Sequence, residues 1–456
     1  MRKLLIPLML LMSLILRGGD FAHYYQGLPV PLAEPAAPSI PDECVNLADY
    51  GAVPDGVTLC TDAFAAAVKA LEKKGGGHLI VPAGIWLTGP VVLKDRMDLH
   101  LEKNAVILFS PDKSHFVRSD GKVAPGISVS KRKDVSITGQ GIIDGNGEWW
   151  RAVKRSKVSD VEWKDYHRMG GTDAEGGSLW YPFGLNNYPD IAPDFKAQEK
   201  MRTHLVRFTD CERVQVSGVT IQNSPKFHLV PQRCRQVAIV GVTVRCPWNA
   251  QNGDGIDLMQ STDVLIADCT VDVGDDGICL KAGGGAAALK DGPTARVLVR
   301  GNTVFRAHGG FVVGSEFSGG LEDIVACDNV FSGTDTGLRF KSAPGRGGRS
   351  SNVWISRIYM SDIRDQAIVF ETGYMNVSVG EKGSMEQTTE FMPDFCDIHI
   401  SNVVCRDARI GISVSGAPGT VHDISLNDCT IFCSEKKLEQ TDGNVLKMKD
   451  VRLLSH

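Results

Sequence analysis

Short apolar runs recur through the second half of the chain, and within each run the large apolar residues stand two apart. Set level on Gly255, Gly277, Gly310, Gly337, Ala367 and Gly411, the next residues are Ile256, Ile278, Phe311, Leu338, Ile368 and Ile412. Two further on stand Leu258, Leu280, Val313, Phe340, Phe370 and Val414. Alternate side chains of a strand point to opposite faces, so both sets fill an interior while the residues between them face outward. A second series of strand starts, at Val214, Val237, Val264, Val297, Ile324, Val353, Ile398 and Ile424, repeats mostly at roughly 23 to 33 residues, a solenoid period. No segment of the repeat sustains a 3.6-residue period, which argues against helical or leucine-rich repeats. The pattern predicts an all-β solenoid with several short strands per coil, wound as a parallel β-helix.

One helix is predicted, from Thr61 to Lys74. Thr61 suits its N-cap, Phe64, Val68 and Leu71 share a face, and Lys73-Lys74 before Gly75-Gly76-Gly77 close it. Placed ahead of the repeats, it reads as a short N-terminal cap over the first coil, where unpaired strand edges would otherwise stand open.

Before the helix, Met1-Arg2-Lys3 and the apolar run Leu4 to Leu16 have the charged and hydrophobic parts of a secretory signal, and the run is too short to span a bilayer. Residues 1–19 are read as that signal and residues 20–41, rich in Pro and Ala, as a flexible tether. Residues 42–456 then form a single domain, exported to the periplasm or the medium, with no membrane span once the signal is removed. Two stretches break its rhythm. Residues 146–200 hold Trp149, Trp150, Trp163 and Trp180, four of the seven tryptophans, with Tyr166, Tyr181 and Phe183. An insertion this long is usually a functional excursion, and the aromatics serve either a satellite core or a sugar-stacking wall. Met375 to Asp394 is a shorter, polar insertion.

The 456 residues carry a net charge of −5, which excludes a generally basic surface and with it nucleic acid as a partner. Any polyanion must be gripped locally. Cys211, Cys234, Cys246, Cys269, Cys327, Cys405 and Cys429, seven of the twelve cysteines, fall at or beside apolar strand positions and read as buried thiols. No His/Cys grouping has zinc-ligand spacing, so no metal and no cofactor are expected.

Four of the aligned strands carry their charged residues at one phase: Asn252-Gly253-Asp254, Gly274-Asp275-Asp276, His308-Gly309 and Arg339-Phe340-Lys341. Any one alone would be a turn or a solvated face. Coils about 4.8 Å apart bring Asp254 next to Asp275 and Asp276. By parity Asp257, Lys281, Arg339 and Lys341 lie on the outside. Carboxylates packed this closely cannot all ionise at their ordinary pKa, so one acid and two carboxylates are expected. That inventory serves glycosidic bond cleavage, with a carboxyl donating to the leaving oxygen and a carboxylate positioning water at about 6.5 to 9.5 Å if the configuration inverts. His308 is placed to hold the acid, and the Arg339 fork and Lys341 to bind a sugar carboxylate.

In this order and phase the four motifs resemble those of glycoside hydrolase family 28, the polygalacturonases and their relatives, from about Val45 to the C-terminus. The family shows Asn-Thr-Asp, Gly-Asp-Asp, Gly-His-Gly and Arg-Ile-Lys on a right-handed parallel β-helix. This chain departs from it at Gly253, Ala307 and Phe340, none of which removes a reacting group. The resemblance implies that Asp275 is the general acid, that Asp254 and Asp276 activate water, that His308 supports the acid, and that Arg339 and Lys341 bind galacturonate. Asn252 belongs to the same motif, and Tyr374 falls where the family has a substrate-contacting tyrosine. Phe311-Val312-Val313-Gly314-Ser315-Glu316 and Lys341 to Gly348 are similar to the exo-acting members, with Arg346 and Arg349 as candidate carboxylate contacts. The expectation is a monomeric, metal-independent, inverting exo-hydrolase of α-1,4-linked galacturonate that binds an acidic polysaccharide or oligogalacturonide. Hydrolysis of rhamnogalacturonan, elimination by a Ca²⁺-dependent lyase, and non-catalytic glycan binding stand as alternatives.

Overall fold

The computed structural model describes residues 21–182, 194–375 and 388–456. The signal read at residues 1–19 lies outside the described residues, as do Phe183 and much of the second insertion. Each central coil contributes three short strands, and each strand pairs in parallel with its counterpart in the next coil. Ile256–Met259, Thr262–Ala267 and Thr270–Asp272 lie on Ile278–Lys281, Thr294–Arg300 and Thr303–Val304 in this way. The result is a parallel β-helix.

Its register is the one the apolar pattern predicts. Ile256 pairs with Ile278, Ile278 with Phe311, Phe311 with Leu338, Leu338 with Ile368, and Ile368 with Ile412. The second set stacks the same way, and Phe340 lies face to face with Phe370 at 4.5 Å between ring centroids. Both sets are buried in one continuous core. A one-residue slip would turn every one of these side chains out to solvent, so the apolar alternation pins the register.

Turns are stacked as regularly as strands. Asp134, Arg213, Gln236, Asp263, Arg296, Asp323, Asn352, Asp397 and Asp423 hold a left-handed backbone, with φ between 51° and 59°. The strand registers beside them place these residues one above another. Asp and Asn tolerate this conformation best among residues with a side chain, and they fill most of the column. Where arginine stands over aspartate the two form forked pairs, as in Arg213 with Asp134 and Arg296 with Asp263, both at 2.6 Å.

The helix Thr61–Lys73 buries Phe64, Val68 and Leu71 on the first coil as expected. Its N-cap is Cys60, however, and Thr61 is the first helical residue. The Thr61 hydroxyl instead accepts from the Gly89 amide at 2.7 Å, tying the helix to a neighbouring loop.

The stretch read as a flexible tether is packed. Ala238, Leu265, Leu298 and Val325 stack in register on an outward face, an apolar column that needs cover. Phe21, Tyr24, Tyr25, Leu28, Val30 and Leu32 lie against it. Polar contacts fasten this strap. Tyr24 donates its hydroxyl to Asp268 at 2.5 Å, Arg300 donates to the Gln26 carbonyl at 2.9 Å, and the Ser39 amide donates to Asp134 at 2.9 Å.

The first insertion builds a small antiparallel sheet from Val153–Lys154, Thr172–Ala174 and Leu179–Tyr181, with a helix at Asp160–Arg168. Trp180 and Tyr181 are buried, which fits the satellite-core reading for these two, while Trp150 joins the core of the solenoid and Trp149 stays exposed. Trp150 packs edge-on against Phe116 of the solenoid at 5.0 Å. Gln251 donates to the Ala152 carbonyl at 3.0 Å, so the insertion is fixed directly to the turn that carries Asn252 and Asp254.

If Phe21 anchors the strap, Phe21→Ala should weaken its docking by about 3 kcal/mol. Limited proteolysis of the variant is expected to cut within residues 21–41 well before the solenoid, whereas the parent chain resists.

Candidate active site

The turns that precede consecutive rungs of one strand column carry the predicted groups. Asn252 and Asp254 precede Ile256–Met259, Asp275 and Asp276 precede Ile278–Lys281, and His308 precedes Gly309–Ser315. Arg339 and Lys341 project from the rung after that, Thr336–Ser342. Rung stacking therefore brings them together: the His308 amide donates to the Asp275 carbonyl at 2.8 Å, and the Gly255 amide to the Asp276 carbonyl at 2.9 Å.

One oxygen from each of Asp254, Asp275 and Asp276 lies within 4.8 Å of the others, closer than the roughly 6.5 to 9.5 Å expected for an inverting pair, because the three stand on adjoining turns of stacked coils. Their surroundings differ sharply. Asp275 is the most open of the three, at 18 % exposure, and it accepts the Asn252 amide on Oδ2 at 3.1 Å and the Asp276 amide on Oδ1 at 3.0 Å. His308 Nδ1 sits 3.3 Å from Oδ1. Asp276 is sealed, with Lys341 Nζ at 2.7 Å and Arg339 Nη1 at 3.2 Å. Asp254 is also buried, and among the described residues its Oδ1 has no hydrogen-bond partner.

These surroundings separate the three carboxyls. Burial pushes Asp254 well above the usual carboxylate range, and the charges of Asp257 and Asp275 push it further. Desolvation raises Asp275 and Asp276 too, yet both are held below that range, Asp275 by its hydrogen bond with His308 and Asp276 by Lys341 and then Arg339. Of the three, Asp254 is therefore the carboxyl whose surroundings most favour a proton, whereas the resemblance gives the acid to Asp275.

The charged groups placed outside by parity do point away from the core, but they are not solvated. Asp257 is fully buried, with Lys281 Nζ at 3.5 Å, and only Arg339 of the set reaches 15 % exposure. Burial raises Asp257 to about 7. The sequence pattern gives the face a side chain occupies, and the loops and insertion above that face decide whether water reaches it.

A cavity of about 740 Å³ lies over these groups. Eight lysines and arginines line it against five carboxylates, so the pocket is locally positive in a chain of net charge −5. Tyr374 roofs the cationic end, its ring 4.8 Å from Lys341 Nζ and 5.3 Å from the Arg339 guanidinium. Arg346 stacks on the same ring at 5.8 Å. Arg349 does not join them; it pairs outward with Asp394 at 2.9 Å, and Asp394 also meets His422 Nε2 at 2.9 Å. Asn252 acts through its backbone amide on Asp275, while its side-chain oxygen is held by Arg202 at 2.9 Å.

Several lining residues escape the sequence reading. Lys154, Lys157, Lys196 and Lys200 come from the aromatic insertion, and Lys226 and Phe227 from the turn one coil before Asp254. The Lys154-Arg155-Ser156-Lys157 cluster was the available signal. The three clustered aspartates also have the make-up of a divalent-cation site. Lys341 at 2.7 Å and Arg339 at 3.2 Å already balance Asp276, so the donor set fits a cation poorly.

A solenoid with paired carboxylates in a cation-lined trough is the working surface of a glycoside-cleaving enzyme. The chain belongs to the family described as Glycosyl hydrolases family 28, whose profile matches residues 167–437, and it is a glycoside hydrolase. It is 28 % identical over 411 residues to a Vitis vinifera protein named "Probable polygalacturonase", covering 86 % of this chain and 74 % of that one. It is also 28 % identical over 382 residues to an Exo-poly-alpha-D-galacturonosidase of Dickeya chrysanthemi, covering 80 % of this chain but 62 % of that longer protein. Among solved structures, a hyperthermoactive exopolygalacturonase from Thermotoga maritima superposes with a TM-score of 0.70 at 29 % identity, covering 91 % of this chain and 94 % of that one. The β-helix is right-handed, as in these structures.

Lys341→Met would leave the buried Asp276 carboxylate with Arg339 alone, at a cost of about 3 to 5 kcal/mol. Asp276 is depressed in the folded protein, so its pairing supports stability above the ordinary carboxylate range and loses that support as pH falls through its depressed value. Denaturant titrations should therefore show the largest deficit for Lys341→Met near neutrality and a shrinking one in acid.

Proposed function

We propose that this chain hydrolyses the α-1,4-galacturonosidic bonds of polygalacturonate with inversion, removing units from a chain end and working as an exported monomer. The observation that carries the reading is the placement of Asp275 and Asp254 within one cluster, beside the Arg339 and Lys341 pair under Tyr374. The relatives named above as acting on polygalacturonate, two of them exo-acting, support the substrate and the mode. The insertion supports the mode as well, since its lysines stand over one side of the trough.

The resemblance assigns the roles, and the openness of Asp275 supports its part as the acid. Asp275, the most open carboxyl, faces the leaving oxygen and donates the proton to it. Asp254 and Asp276 orient the water that attacks the anomeric carbon from the other side, and they take up its proton. In the free enzyme burial favours the proton on Asp254. Its passage to Asp275 as substrate displaces water creates the acid and frees the base in one move. Arg339 has five N–H donors and spends one on Asp276, so others remain for the carboxylate of the sugar. Desolvation within the trough strengthens each of these contacts.

Digestion of polygalacturonate followed by NMR should show β-configured monogalacturonate as the first product. Mixed oligomers at early times would argue for cleavage within the chain, and an α-configured product would overturn the inverting mechanism. Asp275→Asn should lower kcat by roughly 100-fold to 10,000-fold, the usual worth of a general acid, with little change in KM.

A further inference from the structure

The aromatic insertion reaches the reacting groups at Lys157. Lys157, in the turn after Val153–Lys154, places its Nζ 3.3 Å from His308 Nε2 and 3.1 Å from the Gly274 carbonyl oxygen. An ammonium has three N–H donors and no lone pair, so it can approach an imidazole nitrogen at this distance only where that nitrogen accepts. Nε2 is then unprotonated. On the other side of the ring, Nδ1 faces the Asp275 carboxylate at 3.3 Å, which can only accept when ionised. Both neighbours select one state of the ring, neutral with its hydrogen on Nδ1. An imidazolium would press a second N–H against the ammonium.

Among the described residues, the groove beside the ring also holds Asp335, Arg339, Asp365 and Glu371. Asp335 Oδ2 lies 3.8 Å from Nε2 and favours a hydrogen there. It is 42 % exposed and shared with Arg364 at 3.7 Å, so solvent screens it more than the closer Lys157. Arg339 lines the groove beside His308, and its charge is committed to the buried Asp276.

We propose that Lys157 is a positioning residue for the hydrolysis, holding His308 in the neutral Nδ1–H state so that its hydrogen bond is directed at Asp275. The proposal rests on the reading of Asp275 as the acid and adds a part for the insertion. An excursion that only walled the trough would not need to reach His308. With Lys157 in place, the mobile proton of the site stays among the carboxyls and is not parked on the imidazole. A lysine serving only to bind a sugar carboxylate is the competing role, and it makes a different prediction for every measurement below.

The test is the ¹⁵N spectrum of histidine-labelled protein without substrate, with the His308 signals identified as those missing from His308→Gln. The expected wild-type pattern is a protonated Nδ1 and a bare Nε2. In Lys157→Met the hydrogen should redistribute onto Nε2, toward Asp335. In that variant kcat should fall about 10-fold to 100-fold, the usual cost of losing such an orienting partner, with KM within twofold. Lys157→Arg, which also offers donors and no lone pair, should restore the wild-type pattern and part of kcat. A wild-type spectrum with Nε2 protonated, an unchanged spectrum in Lys157→Met, or a rise in KM with kcat intact would each overturn the proposal. Because the spectrum needs no substrate, a protein inactive on polygalacturonate would sink the functional reading while the spectrum still judged the contact.

Discussion

Parallel backbone pairing at constant register, coil upon coil, is the constraint from which the architecture of the trough follows. Each rung is held by ladder hydrogen bonds and by an interior residue seated on its equivalent, so the turn before each rung can shift only if the whole column does. Asp254, Asp275 and His308 sit on three such turns, and Arg339 and Lys341 on the rung beyond. Their separations are therefore set by the rise of the solenoid and not by loop conformation, which suits a site that must hold reacting groups in fixed geometry.

The trough is where this framework carries its electrostatic load. Asp254, Asp257, Asp276, Lys281 and Lys341 are all nearly closed to water, although they point away from the core. Buried charges persist only when paired, and the pairing here is uneven. Asp276 has two cations, Asp257 has one at a longer distance, and Asp254 has none on its Oδ1. That inequality drives the pKa values of three chemically identical groups apart, raising Asp254 and Asp257 and lowering Asp276. Function and electrostatic strain share one location.

Two segments outside the repeat complete the molecule in opposite ways. The strap at residues 21–41 covers an apolar column on the outer face and seals a surface that would otherwise invite association. The insertion covers part of the polar trough and leaves a cavity beneath it. Its Tyr181 packs with Ala152 and Leu179 in a small core of their own and Trp150 joins the core of the solenoid, while Lys154 and Lys157 reach inward. The helix Asp160–Arg168 in the insertion was legible and overlooked: Ser159 and Glu162 form a capping box, a sequence signature of a helix start.

The sequence by itself determined the coil register, because interior residues such as Ile278, Phe311 and Leu338 alternate with period two and a slip of one would expose them all. It also determined which turns share a rung, and hence that three aspartates, a histidine, an arginine and a lysine meet. Tertiary structure alone decided what covers those groups, since parity names a face but says nothing about the chain that later folds over it. That is why Lys341 and Asp257 prove buried, why the strap is docked on Leu265 and Leu298, and why Arg349 turns away to Asp394. It decided the proton's place too, because desolvation and partner distance separate the aspartates, and neither is a property of the residue's letter or its spacing.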